Sequence, residues 1–483
     1  MTPVTCFSGK RVALFGLGGS GLATARALVA GGAHVLAWDD SAPARARAGN
    51  EGIDVGDLDK QDWSNFESFV LSPGVPLTHP KPHWTVEKAH AAGVEIIGDL
   101  ELFCRERAAI APGSPFVAIT GTNGKSTTTA LTAHLLSEAG IDVQLGGNIG
   151  TPILELMPPS HERMHVIEVS SFQIDLAPSL NPTVGALINL SPDHIDRHGT
   201  MEKYAAVKAR MITASKMALV GVDDRYCWEI GKARENILGE DATRFTCPVS
   251  IHRRLRRGVF ADGTKIVSTL HDGAGKVIGD TAGIATLRGA HNVQNAAFAT
   301  GIMHLWRFPL ETIVEGLKTF PGLPHRMEEV GRIGHVVFIN DSKATNADAA
   351  EKALLSFNDI FWIAGGQMKE GGIAPLMPLM DRVRKAYLIG TAADDFARTL
   401  GLNNVDFVVC RTLDAALSAA ATDAHACNTK QPVVLLSPAC ASYDQFANYE
   451  VRGDAFRSLA ASLVAAMQSD ARELHPASQE KPS

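Results

Sequence analysis

Short apolar runs alternate with helical patterns along three stretches of the chain. In the first stretch, residues 9–104, strands are predicted at RVALF (11–15), HVLAW (34–38) and FVLS (69–72), and a helix over Leu22–Ala30 separates the first two. Strands that alternate with helices in this way predict a parallel sheet covered by helices.

The second stretch opens with the apolar run FVAIT (116–120), which passes through the turn GTNGKS into a helix that ends near Glu138. Further strands are predicted at MHVIEVS (164–170) and VGALINLS (184–191). The order of strand, loop and helix again indicates a parallel α/β sheet.

Between residues 239 and 285 the pattern changes to short β-prone runs. Asp-Gly pairs at 262–263 and 272–273 predict hairpin turns there. The same region carries a basic run, His252–Arg257. No aromatic residue interrupts this run, so a solvated face is the preferred interpretation and a nucleic-acid site is disfavoured.

Beyond the segment 320–324 the α/β pattern returns. Four strands are predicted at HVVFIND, DIFWIAGG, KAYLIG and PVVLLSPA, each leading into a polar or glycine-rich loop. The three stretches predict an α/β protein of three domains, 1–107, 108–321 and 322–483. The proline- and glycine-containing segments 111–115 and 320–324 are the predicted linkers and the hinges for domain closure.

Composition narrows the class of protein. Of the 483 residues, 45% are apolar and 20% charged, which is typical of globular domains, and the net charge of −7 disfavours a basic nucleic-acid binder. The seven cysteines are widely spaced without a C-x-x-C pair, which predicts a reducing compartment and neither a disulfide framework nor a zinc site. No secretion signal and no long apolar run is evident, so we expect a cytoplasmic protein without membrane insertion.

The first glycine-rich motif is GLGGSG, residues 16–21, which follows a strand and opens a helix. Asp39 and Asp40 lie about twenty residues further on, as in dinucleotide-binding folds, where glycines admit a pyrophosphate and an acid binds ribose. The motif alone leaves three interpretations open: an NAD(P) or FAD site, another nucleotide's phosphate site, or a strand–helix turn without a ligand.

The second motif, TGTNGKST at 120–127, lies between a strand and a helix. Backbone N–H groups and a helix N-terminus converge there on one anion site, with Lys125 expected at the β/γ-phosphates and Ser126 at Mg²⁺. Ile119 replaces the first glycine of the full P-loop pattern, yet the strand–loop–helix context predicts ATP binding.

Acidic and imidazole groups follow two further strands. Glu168 ends one strand, and His194 lies in PDHIDRH (192–198) after another. Ligands of open α/β sheets gather at the carboxyl ends of the strands, so we expect Glu168 and His194 to share a magnesium ion with the triphosphate.

These motifs resemble the Mur ligases, a superfamily of ATP-dependent amide-bond synthetases that includes folylpolyglutamate synthetase. The similarity runs in order along nearly the whole chain. It is carried by GTNGKST, GNIG (147–150), EVSSFQ (168–173), SPDHIDRHG (191–199), EKYAAVKAR (202–210), GAHNVQN (289–295), PHRME (324–328), NDSKATN (340–346), GGQMKEGG (365–372) and LSPACASYDQF (436–446). The last four motifs resemble the branch of the family that adds D-glutamate in peptidoglycan synthesis.

The resemblance implies a Rossmann-like UDP-binding domain, a central P-loop ATPase-like α/β domain and a C-terminal Rossmann-like domain. It assigns GLGGSG to the UDP of a sugar nucleotide and not to a redox cofactor. The residues implied for this substrate are Gly18, Gly19, Ser20, Gly21, Asp39, Gly74, Asn148, Ser170 and His194. Where relatives often have Asp-Thr-Arg, this chain has Asp39-Asp40-Ser41, so the resemblance does not carry over an arginine contact to the uridine.

The resemblance also implies the ATP and amino-acid sites. The residues implied for ATP are Gly121, Thr122, Asn123, Gly124, Lys125, Ser126, Thr127, Asn292, Asn295, Arg326 and Asp341. Those implied for D-glutamate are Lys343, Thr345, Lys369, Ser442 and Tyr449, the last of which stands where relatives often carry Phe. Lys125, His194, Lys208 and Lys343 are the implied catalytic residues.

The resemblance implies two magnesium ions, with Ser126, Glu168, His194 and Lys208 as the residues that hold them. From the residues alone, Lys208 is a solvated lysine on a helix surface. The resemblance instead implies a carbamate on Lys208, formed with CO₂, which converts a cation into a metal-binding anion. His194 is within reach to accept a proton from the amino acid's amine, a role that metal ligation would forbid.

The implied substrates are UDP-N-acetylmuramoyl-L-alanine, D-glutamate and ATP, and the chain is expected to act as a monomer. Three alternatives remain. A sister ligase would add L-alanine, a diamino acid or a dipeptide to a sugar nucleotide, or glutamate to a folate. An NAD-dependent oxidoreductase would use GLGGSG but leave GTNGKS unexplained. A non-catalytic nucleotide switch would need no amino-acid site.

Overall fold

The computed structural model describes residues 1–271, 273–368 and 371–474, with the side chains of the last helix as far as residue 465. The chain forms two compact units, one of Met1–Ala282 with Asn292–Phe320 and one of Gly283–His291 with Pro321–Ser483. Asp272 of the second predicted turn and Lys369 of the predicted D-glutamate site lie outside the described residues.

A four-stranded parallel sheet forms the N-terminal part of the first unit, in the order β2-β1-β3-β4. Its strands are β1 (Arg11–Phe15), β2 (His34–Trp38), β3 (Ser68–Leu71) and β4 (Glu95–Ile97), and its helices are α1 (Gly19–Ala30), α2 (Ala42–Asn50), α3 (Trp84–Ala92) and α4 (Asp99–Ile110). The predicted parallel sheet is confirmed. Strand β4 was not predicted because its three residues are too few to give a pattern.

A nine-stranded sheet follows, in the order β13-β12-β11-β10-β9-β8-β5-β7-β6. Its strands are β5 (Phe116–Thr120), β6 (Asp142–Gly147), β7 (Arg163–Glu168), β8 (Val184–Leu187), β9 (Met217–Gly221), β10 (Thr246–Ser250), β11 (Val259–Asp262), β12 (Lys265–Ser268) and β13 (Lys276–Asp280). The pairs β11–β12 and β12–β13 are antiparallel, and a turn at Gly263, with a φ of +64°, joins the first pair. The hairpin predicted at 262–263 is therefore confirmed.

Eight helices accompany this sheet in the described part of the chain. They are α5 (Lys125–Glu138), α6 (Ser171–Asp175), α7 (Ile195–His198), α8 (Met201–Ala214), α9 (Arg225–Leu238), α10 (Ala242–Phe245), α11 (Ala290–Leu305) and α12 (Leu310–Thr319). The basic run at 252–257 lies in the loop before β11 and is largely exposed, as the solvated interpretation predicts.

One apolar core extends across both sheets of the first unit. Phe103 of α4 packs edge-on against Phe116 of β5, with ring centroids 5.4 Å apart, and both side chains are fully buried. The buried Arg107 donates from Nε to the carbonyl oxygen of Ser114 at 3.0 Å. The predicted linker at 111–115 is therefore held by a buried hydrogen bond, which a hinge motion there would have to break.

The second unit contains a six-stranded sheet in the order β14-β15-β19-β16-β17-β18. Its strands are β14 (Glu328–Ile333), β15 (Val336–Asn340), β16 (Ile360–Gly365), β17 (Val383–Ile389), β18 (Phe407–Arg411) and β19 (Val433–Leu436), and its helices are α13 (Ala347–Ser356), α14 (Ala393–Leu402), α15 (Leu413–His425) and α16 (Tyr449–Leu474). All four predicted strands are present. The two that were not predicted, β14 and β18, are edge strands whose residues are only partly buried, so they lack a continuous apolar run.

The three sheets confirm the predicted three-domain α/β class. In each sheet the parallel strands end at one edge, and the glycine-rich loops leave from that edge. Within the described residues, no helix has the length and apolarity needed to cross a membrane.

Candidate active site

The loop that joins β5 to α5 forms the centre of the site in the first unit. Gly121 and Gly124 have positive φ angles of +157° and +83°, so the loop adopts a backbone that L-residues avoid. Lys125 begins α5 and donates from Nζ to the carbonyl oxygens of Gly121 at 3.1 Å and Thr122 at 2.8 Å. Ser126 is buried and Thr127 half-buried in the first helical turn, while Asn123 is exposed at the loop's tip.

Two asparagines lie behind this loop. The side chain of Asn295 accepts a hydrogen bond from Thr128 Oγ1 at 3.2 Å and donates to Asn292 Oδ1 at 3.0 Å. A Cβ on Gly124 would lie 2.2 Å from Asn295 Oδ1, so the asparagine packs directly on the loop. Both asparagines are buried, Asn292 4% and Asn295 2% exposed. The contact with ATP implied for this pair, which the resemblance places at the adenine, stays a prediction.

Lys208 lies inside the protein, contrary to the solvated position expected from the residues alone. It is 1% exposed and donates from Nζ to Thr120 Oγ1 at 2.9 Å and to the Gly121 carbonyl oxygen at 3.0 Å. The expectation failed because α8 presents this residue to β5 and not to solvent. Burial, and then the charge of Lys125, lower the pKa of Lys208 well below its ordinary value.

Glu168 ends β7 and is 2% exposed. Its Oε1 accepts a hydrogen bond from Asn148 Nδ2 at 2.8 Å, while the buried Oε2 has no hydrogen-bond partner in the described part of the chain. A buried carboxylate oxygen without a donor is costly unless a cation or ligand satisfies it. This observation fits the predicted role of Glu168 as a metal ligand.

His194 precedes α7 in a left-handed conformation, with a φ of +54°. Its ring lies 5.0 Å from the Phe172 ring, and its Nε2 lies 3.3 Å from Asp193 Oδ2. Burial lowers the pKa of His194; the Asp193 carboxylate opposes this effect, and the charges of Lys125 and Lys208 add to it. A neutral imidazole is the form that binds metals.

A metal ion here would depend on more than acidic and imidazole side chains. Among the described residues, no group of three His, Cys, Asp or Glu side chains is arranged to hold a metal. Magnesium bound to a nucleotide takes one or two carboxylates, with phosphate oxygens and water supplying the remaining ligands. The oxygens and nitrogen of Ser126, Glu168 and His194 suit such a partial set.

The GLGGSG loop joins β1 to α1, and its glycines divide into two kinds. A Cβ on Gly21 would lie 1.8 Å from the Gly16 carbonyl oxygen, and a Cβ on Gly16 would lie 2.6 Å from Ser72 Oγ, so these two serve the close fold of the loop. A Cβ on Gly18 or Gly19 would meet nothing within 4 Å. The backbone at those two positions is therefore open to a ligand.

Three neighbours support the same loop. Asp39 accepts hydrogen bonds from the backbone N–H of Leu17 at 2.6 Å and of Ser41 at 2.7 Å. Ser20 Oγ donates to the buried Asp99 at 2.8 Å. Although no arginine follows Asp39-Asp40 directly, Arg45 stacks over Trp38, with 4.3 Å between guanidinium carbon and ring centroid. Arg45, in the first turn of α2, thus lies against the carboxyl end of β2.

The remaining residues implied for the sugar nucleotide lie where the two sheets of the first unit meet. The carbonyl oxygen of Gly74 accepts a hydrogen bond from Arg197 Nη1 at 2.9 Å, and the Arg197 guanidinium lies 4.6 Å from the Phe172 ring. Ser170 caps α6 in a reciprocal capping box with Gln173. Each predicted contact with UDP stays a prediction.

In the second unit, Lys343 and Thr345 of the predicted D-glutamate site lie in the loop after β15, Ser442 lies in the loop after β19, and Tyr449 begins α16. Lys343 Nζ lies 3.6 Å from the centroid of the Tyr449 ring, a cation–π contact. Thr345 donates from its backbone N–H to the Lys343 carbonyl oxygen at 2.8 Å, and Ser442 is 2% exposed. These four residues are near one strand edge, while Lys369 lies outside the described residues.

Asp341 is buried directly after β15. Its carboxylate accepts hydrogen bonds from Ser437 Oγ at 2.8 Å and from the backbone N–H of Met327 at 3.3 Å. Burial raises the pKa of Asp341 to about 7, although both hydrogen bonds and the nearby Arg326 act to lower it. Arg326 and Asp341 are thus neighbours, as the resemblance implies.

Sequence reasoning missed several residues that build these sites. Thr120 and Tyr204 support Lys208, since Tyr204 places its ring 4.9 Å from Nζ and its hydroxyl 3.2 Å from Thr122 Oγ1. Asp99 and Arg452 are buried charges that no motif contains. Tyr204 lies four residues before Lys208 on α8 and within the motif EKYAAVKAR, so helical spacing inside that motif is the signal that could have pointed to it.

Three family models match successive parts of the chain. The Mur ligase MurD-like N-terminal domain matches residues 10–98, the Mur ligase middle domain 119–303, and the Mur ligase glutamate ligase domain 325–440. A UDP-N-acetylmuramoylalanine--D-glutamate ligase from Mesorhizobium japonicum is 56% identical over 463 residues, which are 96% of this chain and 98% of that protein. The protein of the same name from Brucella abortus is 58% identical over 468 residues, 97% of this chain and 99% of that protein.

Solved structures share the fold at low sequence identity. A UDP-N-acetylmuramate-alanine ligase from Thermotoga maritima is 16% identical, with a TM-score of 0.55 over 95% of this chain and 99% of that chain. A type C pseudomurein peptide ligase from Methanothermus fervidus is 18% identical, with a TM-score of 0.55 over 94% and 100%. Sequence identity over the full length and the matched domains together show that the chain belongs to the Mur ligase family.

Proposed function

We propose that this chain is an ATP-dependent ligase that adds D-glutamate to UDP-N-acetylmuramoyl-L-alanine in peptidoglycan synthesis. The observation that carries the proposal is full-length identity above 55% to ligases of that name, combined with two lysines that converge on the phosphate loop. We propose the domain bounds 1–107, 108–321 and 322–483, with most residues for the sugar nucleotide in the first domain, most for ATP in the second and those for D-glutamate in the third.

The first chemical step is activation of a carboxylate, which is a poor acyl donor. The terminal carboxylate of the sugar nucleotide attacks the γ-phosphorus of ATP, its new O–P bond replaces the bond to ADP, and an acyl phosphate results. Lys125 and the N–H groups of the loop at 121–124 are placed to stabilise the charge on the transferring phosphoryl group.

The second step forms the amide. The deprotonated amine of D-glutamate attacks the acyl carbon, a tetrahedral intermediate forms, and phosphate leaves with the former carboxylate oxygen. Lys343, Thr345, Lys369, Ser442 and Tyr449 are the residues we propose for D-glutamate. Cationic side chains suit a nucleophile that carries two carboxylates.

We propose that Ser126, Glu168 and His194 hold magnesium, with two ions bound in the active complex. When bound, these ions would neutralise charge on the triphosphate and polarise its γ-phosphoryl group. His194 then acts as a metal ligand and not as the base, which agrees with its lowered pKa.

We further propose that Lys208 is carbamylated. A neutral amine attacks the carbon of CO₂, a C–N bond forms, and one proton leaves to solvent, which yields an anionic carbamate. The buried position of Lys208 supports this proposal because its lowered pKa favours the neutral, nucleophilic amine. No ion pair to a carboxylate competes for this side chain among the described residues.

We place the enzyme in the cytoplasm as a monomer. All seven cysteines, which lie within the described residues, are free thiols, and this agrees with a reducing compartment. The sugar nucleotide, D-glutamate and ATP are its proposed substrates.

A phosphate-release assay with omission of each substrate tests the proposal. We expect release only when ATP, the sugar nucleotide and D-glutamate are all present. Release that depends on L-alanine, a diamino acid or a dipeptide would indicate a sister ligase. Nicotinamide nucleotide binding without amino-acid-dependent release would favour the oxidoreductase, and ATP binding without any release would favour a switch protein.

A further inference from the structure

Arg452 is a buried cation in the second unit that no motif or proposed role accounts for. It lies on α16, three residues after Tyr449, and is 1% exposed. Among the residues that the structure describes, no carboxylate forms an ion pair with it. A charge is rarely kept in such a position without a partner, because removing it from water carries a large desolvation penalty.

The guanidinium of Arg452 contacts two loops through hydrogen bonds. Its Nε donates to Ser342 Oγ at 3.0 Å, and Nη2 donates to the Ser342 carbonyl oxygen at 2.9 Å. Nη2 also donates to the Cys440 carbonyl oxygen at 3.1 Å. Ser342 directly precedes Lys343, and Cys440 lies two residues before Ser442, so both contacted segments carry residues proposed for D-glutamate.

The loop after β16 also approaches the guanidinium group of Arg452. A Cβ on Gly366 would lie 3.2 Å from Arg452 Nη1, and Gly366 has a φ of +132°. Gln367 and Ala441 exchange backbone hydrogen bonds at 2.9 and 3.0 Å, which join this loop to the one that contains Cys440. The three loops follow β15, β16 and β19, and β19 lies between the other two strands in the sheet.

Arg452 is also tied to the aromatic residue of the site. Ser342 Oγ accepts from Arg452 and donates to the Tyr449 carbonyl oxygen at 2.8 Å, while the Tyr449 ring lies against Lys343 Nζ. One serine hydroxyl therefore connects the arginine, the start of α16 and the segment that carries Lys343.

We infer that Arg452 is a positioning residue for the amino-acid substrate: its buried guanidinium holds the loops after β15, β16 and β19 at one spacing and adds positive charge beneath them. The inference rests on the proposed function, since those loops carry the residues proposed for D-glutamate. We assign Arg452 no contact with the substrate, because its hydrogen bonds go to Ser342 and Cys440, and its buried Nη1 has no hydrogen-bond partner within the described residues.

Arginine is required for this role, not merely a cation. Three hydrogen bonds to two loops need the planar, forked arrangement of guanidinium N–H groups, whereas a lysine ammonium is a point charge on a flexible stem. Burial lowers the pKa of Arg452 to about 10, so the side chain stays protonated at neutral pH. A substrate with two carboxylates would offset part of its uncompensated charge.

The test is steady-state kinetics of Arg452→Lys with each substrate varied in turn. We expect the KM for D-glutamate to rise about tenfold or more, since small misplacements of binding groups cost this much. The KM values for ATP and the sugar nucleotide should stay within about twofold. Arg382→Lys is the matched control, because Arg382 also donates to a backbone carbonyl, that of Phe357 at 3.1 Å, away from these loops.

A second variant covers the case in which Arg452→Lys does not fold. Ser342→Ala removes the hydroxyl that links Arg452 to Tyr449 and should raise the same KM selectively by a smaller factor. An unchanged KM for D-glutamate, or a parallel rise in all three KM values together with a lowered Tm, would overturn the inference in favour of a purely structural arginine.

The wild-type protein is assayed first. If a different amino acid drives its phosphate release, the proposed function fails, and the KM for that amino acid then decides the role of Arg452. If no amino acid drives release, both proposals are overturned.

Discussion

Lys125 and Lys208 share one acceptor, the carbonyl oxygen of Gly121, although the two residues lie on different helices. The pKa of Lys208 falls because the residue is buried and, to a smaller extent, because the ammonium group of Lys125 near the same oxygen repels its charge. The arrangement places a reactive amine beside the phosphate loop. A helix-surface position would give neither effect.

The Lys208→Ala variant tests the proposed carbamate. We expect ligase activity to fall by about 10- to 100-fold, the usual cost of losing a residue that supports a metal site. Added short carboxylates such as acetate should restore part of it by filling the space with an anion. The matched control is Lys203→Ala, an exposed lysine on the same helix α8. If added carboxylates leave the ligase activity of Lys208→Ala unchanged, the result would count against the carbamate.

The Lys125→Ala variant tests the phosphate loop. We expect ATP turnover to be abolished, because Lys125 is the cation proposed to stabilise the transferring phosphoryl group. The fold should persist, since Lys125 Nζ donates to the carbonyl oxygens of Gly121 and Thr122 in its own loop and Lys125 starts a helix that alanine also favours. Circular dichroism checks the fold, and retained ligase activity would refute the ATP-site assignment.

The raised pKa of Asp341 predicts that the stability of the protein depends on pH. Its pKa is raised by burial from an ordinary value of 3.8 to about 7, so the folded state binds a proton that the unfolded state has released. Its contribution to stability is therefore fully present below about pH 4 and is lost as the pH rises to about 7.

Urea unfolding of the wild type and of Asp341→Asn from pH 4 to pH 8 measures this effect. We expect the free energy of unfolding of the wild type to fall relative to that of the variant across this range, by a few kcal/mol. Above pH 8, the difference in the free energy of unfolding between the two proteins should no longer change with pH. Parallel profiles of the two proteins would show that the pKa of Asp341 is not raised.

Individual side chains were predictable where a motif fixed them and not otherwise. Glu168 and His194 could be placed because the ends of parallel strands meet at one edge. Lys208 was misjudged from the residues alone, because one polar residue in an amphipathic helix does not show which face it occupies. Arg452 and Asp99 were missed since buried charges carry no pattern in the sequence.

At the scale of elements, the turn from β5 into α5 depends on Gly124. The residue has a φ of +83°, and a Cβ there would lie 2.2 Å from Asn295 Oδ1. Gly140, just after the other end of α5, has a similar φ of +78° but open space around it. Substitution of Gly140 therefore tests backbone strain alone, whereas substitution of Gly124 adds a steric conflict with Asn295.

We expect Gly140→Ala to cost about 1 kcal/mol of stability, the usual penalty for a left-handed alanine, with ATP turnover unchanged. Gly124→Ala should cost more than this and should lower ATP turnover by at least about tenfold, because it displaces Asn295 and the loop. Thermal unfolding and phosphate release distinguish the two variants. Equal effects of both substitutions would show that Asn295 does not constrain the loop.

Strands and helices were predictable in proportion to their burial on both faces. The fully buried β5, β15 and β16 give unbroken apolar runs, whereas the edge strands β14 and β18 are partly exposed and do not. The linker at 111–115 was expected to be loose from its proline and glycine content. Its attachment to the buried Arg107 depends on tertiary contact that local sequence does not encode.

At the scale of the whole molecule, a net charge of −7 is compatible with the three anionic substrates proposed, because individual cations lie at the proposed sites. Lys125 and Lys208 lie at the proposed ATP site, and Lys343 with Arg452 lies at the proposed amino-acid site. Local charge, and not the overall sign, determines which ligands these sites attract.

The central claim, ligation of D-glutamate to the sugar nucleotide, is tested most directly by identifying the product. The protein is incubated with ATP, magnesium and UDP-N-acetylmuramoyl-L-alanine, with either D-glutamate or L-glutamate, and the nucleotide is analysed by mass spectrometry. We predict that one glutamyl residue is added with D-glutamate only, with one phosphate released per amide formed. Addition of L-glutamate at a similar rate, or phosphate release without a glutamylated product, would contradict the assignment.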